Sequence, residues 1–336
     1  MGRGSPFSDE ETLRRARRTF RNNPLDDLQW AFLYVLMNFA KANAQIITPE
    51  DIILVRRSIQ SRDTALHVGG LAAFESIAKA RPEVCSQENF DLLITHITDR
   101  SKSYSSGWAA LCAVTKNNES LITEENLRRL LSAGPNDQEW FFCLISSMAY
   151  IRPEAFTPAN FQLVQEMFTS SDQAVRRFAV KISRYFVEAN SAYATRDLLE
   201  VLLGQFDDCP KEVFDAIRSF LAASDAFAQQ KALVEPVWGK TSDSDPTSIA
   251  GALEVLGRLL RCNPSAADAK RFPYVVRMLQ HENSQVRREA FGTLLAFLEV
   301  DPSLLEVDPS LTRSAISSVL PLIADEDYLL REAAIE

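Results

Sequence analysis

The chain has 336 residues, 46% of them apolar and 24% charged, and a formal net charge of −9 at pH 7. This apolar content is ample for a folded core, and eleven glycines and fifteen prolines are too few for a long disordered region or an all-β protein rich in tight turns. The acidic balance argues against a protein dedicated to coating DNA or RNA, because such domains usually carry a basic excess.

The N-terminus is polar and charged, and we expect residues 1–7 to be disordered. The longest apolar run, from Trp30 to Ala40 with Asn38 inside it, is too short to span a bilayer, and no secretory signal is visible. The five cysteines form no C-x-x-C pair and are odd in number, which favours reduced thiols. We therefore predict an intracellular protein, cytoplasmic or nuclear, with no membrane span.

The first predicted helix begins near Asp9 and is rich in arginine. Its arginines are Arg14, Arg15, Arg17, Arg18 and Arg21. Acidic residues at Glu10 and Glu11 accompany them. We interpret this helix as a solvated capping face, and contact with anionic lipid, nucleic acid or an acidic protein is the alternative.

Beyond this helix, two kinds of amphipathic helix alternate with a regular period. We take the first apolar residue of each second helix as its anchor. The anchors are Trp30, His67, Trp108, Trp140, Val175, Val213, Ile249, Val286 and Leu330. Eight intervals cover the 300 residues from the first anchor to the last, so their mean length is 37.5 residues. A period of this length indicates a stacked repeat, because one helix pair cannot bury its own apolar face and stacked neighbours can.

Start signals precede several of the first helices. Thr48-Pro49-Glu50, Thr123-Glu124-Glu125 and Thr157-Pro158 place a capping oxygen before proline or an acidic residue in the first turn. Apolar residues then recur with a period of 3.6, and no segment sustains the period of two that a strand requires. The pattern therefore predicts an all-α fold.

Two stretches are less regular. The segment from Gly239 to Thr247 is polar and turn-rich, and we expect an extended loop between helices. The chain ends at Ile335-Glu336, inside a predicted helix with no capping segment after it. We expect residues 8–336 to form a single repeat array. It is either a fragment that continues beyond residue 336 or an array whose end a partner covers.

An aliphatic residue followed by arginine opens the second helix in three repeats. The steps are Val175-Arg176, Val286-Arg287 and Leu330-Arg331, and the first two lie 111 residues apart, three times 37. Together with the period, they make the sequence resemble the HEAT-repeat family of armadillo-like proteins over nearly the whole chain. The resemblance implies a right-handed α-solenoid of about nine HEAT-like helix pairs.

The resemblance also makes these three arginines structural. In HEAT proteins, an aspartate six residues before the arginine helps to build a ladder of polar contacts between repeats. Only Asp325 fits this pattern, since Ser170 and His281 stand at the other two positions.

The second helices of HEAT solenoids usually line the concave face, where partners bind. On the helix anchored at Val175, residues at offsets +2, +6 and +9 share one exposed face, and the same offsets apply to later helices. The offsets give Arg177, Lys181, Arg184, Arg258 and Arg288, and Arg218, which lies close to the same stripe, completes the predicted basic ridge. It would accept an acidic peptide, a phosphate or a nucleic-acid backbone. The alternative is an ordinary charged face, partly cancelled by Asp215 and Glu254.

The N-terminal half offers a different candidate. The same offsets from Trp30 give Phe32, Leu36 and Phe39, and the fourth repeat adds Phe142. This apolar stripe would suit an amphipathic helix of a partner if it lay on the concave face. The alternative is that these side chains are buried. We interpret the anchors Trp108 and Trp140 as core residues.

Motifs that carry chemistry are missing from the sequence. It contains no glycine-rich phosphate loop and no G-x-S-x-G elbow, and the three histidines are too scattered to form a zinc site with the cysteines. Gly69-Gly70 lies within a predicted helix and is typical of a close helix contact. We therefore predict that the protein is not an enzyme and uses no cofactor or metal.

The predicted function is that of a non-catalytic scaffold or adaptor that binds an acidic or amphipathic protein segment on the concave face. One alternative is a nucleic-acid-binding HEAT-like protein, whose binding would fall steeply with salt. The other is a regulatory solenoid of an enzyme complex. The resemblance implies roles in transport, phosphatase assembly, coats, or chromosome and cytoskeletal complexes, and the sequence does not choose among them.

Overall fold

The computed structural model describes residues 10–22, 26–97, 105–133, 138–304 and 309–335. Within these ranges the protein forms eighteen α-helices and no β-strand, which confirms the all-α prediction. Residues 1–7, for which we predict disorder, lie outside the described ranges. The right-handed twist and the count of nine pairs stay predictions.

The chain divides into two compact units, Met1–Val164 and Gln165–Glu336. The helices that begin in the first unit are α1 (Glu10–Asn22), α2 (Asp26–Asn43), α3 (Pro49–Ile59), α4 (Thr64–Ala80), α5 (Gln87–Ile97), α6 (Ser105–Asn117), α7 (Glu124–Ala133), α8 (Gln138–Ile151) and α9 (Pro158–Met167). Those of the second unit are α10 (Gln173–Ala189), α11 (Arg196–Leu203), α12 (Pro210–Ala223), α13 (Lys231–Lys240), α14 (Pro246–Cys262), α15 (Phe272–Met278), α16 (Ser284–Val300), α17 (Pro309–Val319) and α18 (Tyr328–Ile335). The expectation of a single array over residues 8–336 stays a prediction.

In the first unit the helices form two layers. Helix α2 packs on α4, α4 on α6, and α6 on α8, whereas α3 packs on α4 and α5, and α5 on α6. The largest buried side chains of this unit include Phe39, Phe74, Phe90, Trp108 and Phe141. Each layer thus covers the apolar face of the other, as a stack of helix pairs requires.

The second unit repeats the arrangement. Helices α10, α12, α14 and α16 pack one on the next, and α18 follows on α16. In the other layer α11 contacts α13, and α15 contacts α17. Its largest buried side chains include Phe186, Phe214, Phe220, Phe272 and Phe297.

Side-chain caps begin helices in both layers, as the sequence predicts. Thr48 forms a capping box with Asp51, and the Thr123 hydroxyl accepts a hydrogen bond from the Asn126 backbone N–H at 3.1 Å. In the second helices the caps are Asp63, Asp172, Asp245 and Asn283, and each accepts a first-turn backbone N–H. The first backbone N–H groups of a helix have no hydrogen-bond partner within the helix, and these bonds satisfy some of them. The capping residues in the short turns therefore fix where each helix begins.

An arginine–aspartate ladder joins neighbouring pairs in the second unit. Arg176 Nε donates to Asp208 at 3.1 Å, and Arg287 donates from Nε and Nη2 to Asp325 at 2.7 and 2.8 Å. Each arginine also donates to backbone carbonyls in the turn before its own helix. These contacts confirm that the two arginines are structural. Asp208 does not follow from a pattern of aspartate and arginine within one repeat, because the aspartate comes from the next repeat.

Polar side chains in the turns after second helices make further links within each unit. Asn118 Nδ2 donates to the Cys85 carbonyl at 2.6 Å, and Asn263 Nδ2 donates to the Ala228 carbonyl at 2.8 Å. Arg81 donates in the same way to the turn of the pair before it. One polar residue in a turn does not predict such a link. Polar residues that recur in these turns at the repeat period would predict it.

The extended loop expected from Gly239 to Thr247 is wrong. Helix α13 ends at Lys240 and α14 begins at Pro246, so only residues 241–245 lie between them. Lys240 Nζ forms an ion pair with Asp207 at 2.8 Å, and the next helix starts at once under its own side-chain cap. These contacts confine the connection to residues 241–245, which form a short turn in place of an extended loop.

Gly70 marks a close approach between α3 and α4. A Cβ at this position would lie 2.8 Å from the backbone nitrogen of Ile59, so the two backbones would have to separate. We expect Gly70→Ala to lower the free energy of unfolding by about 1–3 kcal/mol. At Gly292 of α16 a Cβ would meet nothing within 4 Å, and alanine there should raise the free energy of unfolding by up to about 1 kcal/mol. Urea denaturation checks both variants, and equal effects at the two glycines would contradict the close approach.

Candidate functional site

A groove runs across helices α10, α12 and α14 of the second unit. Its volume is about 760 Å³. Its charged lining residues are Arg184, Glu188, Asp215, Arg218, Glu254 and Arg258, and small residues at Ser191, Ser219, Ala222 and Ala223 also line it. Three of the six residues of the predicted basic ridge therefore meet in one place.

Two of the three arginines in the groove are already paired. Arg218 forms ion pairs with Asp215 of its own helix and with Glu254 of α14. Arg184 Nε donates to Glu188 at 2.6 Å. The acidic and basic side chains of the groove are equal in number, so its wall is close to neutral rather than basic.

Arg258 is the third arginine of the groove, and it is exposed. No hydrogen bond or ion pair joins it to any other residue that the structure describes. An unpaired guanidinium offers five N–H donors in a planar fork, which binds a carboxylate through two parallel hydrogen bonds. Arg258 is thus the position in the groove where an acidic group would find open donors.

Arg177 and Lys181 lie outside the groove and share one buried carboxylate. Arg177 donates from Nε and Nη2 to Glu212 at 2.9 and 2.6 Å, and Lys181 Nζ lies 3.6 Å from the same oxygen. The Glu212 side chain is only 5% exposed and lies in the first turn of α12, where the helix dipole favours a negative charge. The two cations therefore compensate a buried charge, and reversing their sign would test stability rather than binding.

Arg288, the last residue of the ridge, lies on α16 and also has acidic partners. It donates to Glu289 at 3.2 Å and to Asp327 at 3.0 Å. Burial raises the pKa of the Glu289 carboxyl above its usual range, Arg288 opposes this, and the charge of Glu254 adds to it. The predicted ridge is therefore a row of alternating cations and anions.

The apolar stripe expected on the exposed face of α2 is wrong. Phe32, Leu36 and Phe39 are 4%, 0% and 0% exposed, so they belong to the core. Phe142 of α8 is half-buried, with its ring edge-on to Phe141 and the two ring centroids 5.6 Å apart. None of the first three side chains can contact a partner while the helix stays folded.

The error comes from the anchors Trp30 and Trp140. The offsets treat each of them as the first buried residue of its helix, yet they are 49% and 43% exposed. The interpretation of Trp140 as a core residue is therefore wrong, whereas that of Trp108, 1% exposed, is confirmed. Among the described side chains, the first buried one is Phe32 in α2 and Phe141 in α8, so the register is shifted by one or two residues from the anchors. Such a shift turns side chains to another face of the helix.

The face of α2 that is exposed carries an aromatic pair that the sequence analysis missed. Trp30 stacks on Tyr34 with ring centroids 6.1 Å apart and an angle of 14° between the ring planes. Gly69 of α4 lies beside the indole, because a Cβ there would be 3.4 Å from the Trp30 ring. The exposed apolar feature of α2 is thus this pair.

The described residues hold no group of three histidine, cysteine or acidic side chains placed to bind a metal ion. Burial raises the pKa of the thiols of Cys85, Cys112 and Cys209 to about 11, which removes the thiolate that nucleophilic chemistry needs. Across the described ranges, every helix is too short or too polar to cross a membrane.

Comparison by sequence found no matching family model and no matching curated protein. Solved structures match in fold. An engineered protein has a TM-score of 0.56 at 14% identity, covering 99% of this chain and 90% of its own. A mutant of Kap121p has a TM-score of 0.59, and the karyopherin Kap121p bound to the SUMO protease Ulp1p has 0.55, both at 14% identity over 97% of this chain. The fold is therefore a HEAT-repeat-like α-solenoid, and this chain spans 37% of the length of those Kap121p chains.

Proposed function

We propose that the protein is a binding scaffold and that the groove across α10, α12 and α14 holds an extended segment of a protein partner. The observation that carries this proposal is Arg258, an exposed arginine without a described partner in a groove whose other arginines are paired. An acidic side chain of the partner would bind its guanidinium. The small residues beside it, Ala222 and Ala223, leave space for an extended backbone.

The charge balance of the groove favours a peptide over a polyanion. A nucleic-acid backbone approaching Arg258 would also meet Glu188, Asp215 and Glu254, which line the same groove. Phosphates gain affinity by displacing counterions at several cations, and here a single cation lacks a partner among the described residues. The groove therefore supports one local acidic contact within a mostly neutral ligand.

Proteins of the same fold support a protein partner. Solved structures hold Kap121p bound to Pho4p, to the SUMO protease Ulp1p and to RanGTP. Those partners are Kap121p's own, and for this chain they support only a scaffold role. The groove lies in the layer of second helices, which is the layer that the sequence analysis assigns to the concave face.

We also propose that the protein has no catalytic role of its own. Each carboxylate of the groove forms an ion pair with an arginine, as Glu188 does with Arg184. Because each carboxylate already binds a guanidinium, none of them is free to bind and orient a reacting group.

Binding of a captured partner to variants of the groove tests this function. We expect Arg258→Glu to weaken the binding about 5- to 30-fold, because the loss of a hydrogen bond to a charged group costs about 1–2 kcal/mol. Lys211→Glu is the matched control, since Lys211 is exposed on α12 but does not line the groove. Its binding should stay within about twofold of the parent. Equal affinity for the parent and Arg258→Glu would rule out the groove, and equal losses in both variants would indicate nonspecific charge attraction.

A further inference from the structure

Three residues that line the groove hold the same position on successive second helices. They are Glu188 of α10, Ala222 of α12 and Arg258 of α14, and intervals of 34 and 36 residues separate them. We call them the groove row. All three are exposed, so this position faces solvent on each of the three helices.

Other contacts of these helices repeat the two intervals. Phe186 of α10 and Phe220 of α12 each pack edge-on against an aromatic ring of the following turn, with ring centroids 5.4 and 5.2 Å apart, and they are separated by 34 residues. Arg218 of α12 forms an ion pair with Glu254 of α14, 36 residues further on. The groove row therefore follows the stacking of the helices.

The next member of the row is Leu295 of α16. The buried anchors of α14 and α16, Ile249 and Val286, are separated by 37 residues, and the residue 37 positions after Arg258 is Leu295. Leu295 is 40% exposed, so it faces solvent as the three residues of the groove row do.

Contacts of Arg261 place Leu295 beside Arg258. Arg261 lies one turn after Arg258 on α14, and it donates to the Gly292 carbonyl at 3.5 Å and to the Glu299 carboxylate at 2.8 Å. These two acceptors belong to residues one turn before and one turn after Leu295 on α16. A Cβ at Gly292 would meet nothing within 4 Å, so no side chain fills the space above α16 at this point.

The exposure of Leu295 belongs to its position on the helix. Helix α18 packs on α16 and leaves Leu295 exposed, and Ala222 and Arg258 are exposed at the same position with a second helix packed on each side. Among the described residues of α10, α12, α14 and α16, Leu295 is the one exposed large apolar side chain. It thus extends the groove past Arg258 with an apolar contact.

We propose that the partner segment continues past Arg258 onto α16 and carries a large apolar residue that packs on Leu295. This inference rests on the proposed function of the groove. Packed helices lie about 8–10 Å apart. A segment in the polyproline II conformation has three residues per turn and a rise of about 3.1 Å per residue, so every third side chain faces the same way at steps of about 9 Å. The acidic residue on Arg258 and the apolar residue on Leu295 are therefore three positions apart in the segment.

The charges along the row fit such a segment. Arg258 has an uncharged neighbour on either side in the row, Ala222 and Leu295. A charged residue of the segment that faced Leu295 would lose water without gaining a partner, which is costly. Arg258 thus favours an acidic residue at one position, and Leu295 favours an apolar residue at the other.

Selection of random peptides tests this pattern. The probe is a phage-displayed library of random peptides, selected on the purified 336-residue chain and on its Arg258→Glu and Leu295→Ser variants. We expect the parent chain to enrich peptides that carry aspartate or glutamate three positions from leucine, isoleucine, phenylalanine or methionine. Leu295→Ser should still enrich the acidic residue but not the apolar residue at that spacing, and Arg258→Glu should enrich neither.

Fluorescence anisotropy of one selected peptide measures the contribution of Leu295. Leu295→Ser should weaken binding about 5- to 20-fold, because an apolar contact is lost on both sides. Alanine in place of the apolar peptide residue should weaken it equally, and the two changes together should cost no more than either alone. Val201→Ser is the matched control, since Val201 is 41% exposed on α11 in the other layer, and its binding should stay within about twofold of the parent. Circular dichroism checks that the helices persist.

The two possible failures are distinguishable. Peptides that depend on Arg258 but carry no apolar residue at the fixed spacing, or that bind Leu295→Ser as tightly as the parent, would overturn this inference and leave the proposed function in place. Peptides whose binding Arg258→Glu leaves unchanged, or a selection that enriches none, would overturn the proposed function and this inference together. An apolar residue at a different fixed spacing would overturn the polyproline II conformation.

Discussion

Phe39→Ala is expected to lower the free energy of unfolding by about 3–5 kcal/mol, the range for removing a buried aromatic ring. The reason is that Phe39 is 0% exposed in the core of the first unit. Tyr34 on the same helix is the matched control, because it is 52% exposed and its replacement by alanine should cost less than about 1 kcal/mol. Urea denaturation followed by circular dichroism measures both. Equal losses in the two variants would mean that the register of α2 is different and that the apolar stripe faces water.

Asp325→Ala is expected to cost about 3 kcal/mol, because it removes the buried carboxylate of Arg287 and leaves only the more exposed Glu326, 3.2 Å from Nη2, as an acidic partner. The side chains of Asp325 and Arg287 are 6% and 13% exposed, and they join α16 to the turn before α18. The control is Glu235→Ala, which removes the ion pair between Glu235 and Arg271. The Glu235 side chain is 72% exposed, so its loss should lower the free energy of unfolding by less than about 1 kcal/mol. A small effect of Asp325→Ala in urea denaturation would contradict the structural role of the ladder.

The ion pair between Arg287 and Asp325 also makes the stability of the protein depend on pH. Hydrogen bonds from Arg287 lower the pKa of Asp325 below its usual value of 3.8, and burial opposes them in part. A carboxyl whose pKa is lower in the folded state adds stability above the pKa of the unfolded state, and this contribution is lost as the pH falls through the folded pKa. Between neutral pH and strongly acidic pH, the parent should therefore lose more stability than Asp325→Ala. Parallel stability curves for the two proteins would contradict this.

Much of the fold follows from the repeat period. Which residues of each second helix face the core is predicted correctly where the anchor residue is itself buried. The anchors Val213, Ile249, Val286 and Leu330 are 0%, 6%, 0% and 0% exposed, so four of the five aliphatic anchors are core residues, whereas Val175 is half-buried. Trp30 is a poor marker of the core because tryptophan combines a large apolar ring with a polar N–H. Large size and an apolar ring do not by themselves mean that a residue is buried. Positions counted from Trp30 in the first unit are therefore assigned to the wrong face of the helix.

The candidate site was predicted in part. Helical offsets find the cations, because residues that share a face follow the 3.6 period. They do not find the anions that pair with those cations, since Arg177 binds Glu212 and Arg218 binds Glu254, 35 and 36 residues further along the chain. In the sequence, these anions could be predicted from an acidic residue one repeat after each arginine. The unpaired state of Arg258 depends on its neighbours in space and needs the structure.

We propose that the groove across α10, α12 and α14 holds a segment of a protein partner. A photo-cross-linking amino acid at position 222, inside the groove, tests this proposal when it is compared with the same amino acid at position 171, an exposed site that does not line the groove. We predict cross-links from position 222 to one contiguous segment of the partner that contains an acidic residue, with a lower yield in the Arg258→Glu background. Cross-links that form from position 171 but not from position 222 would contradict the proposal.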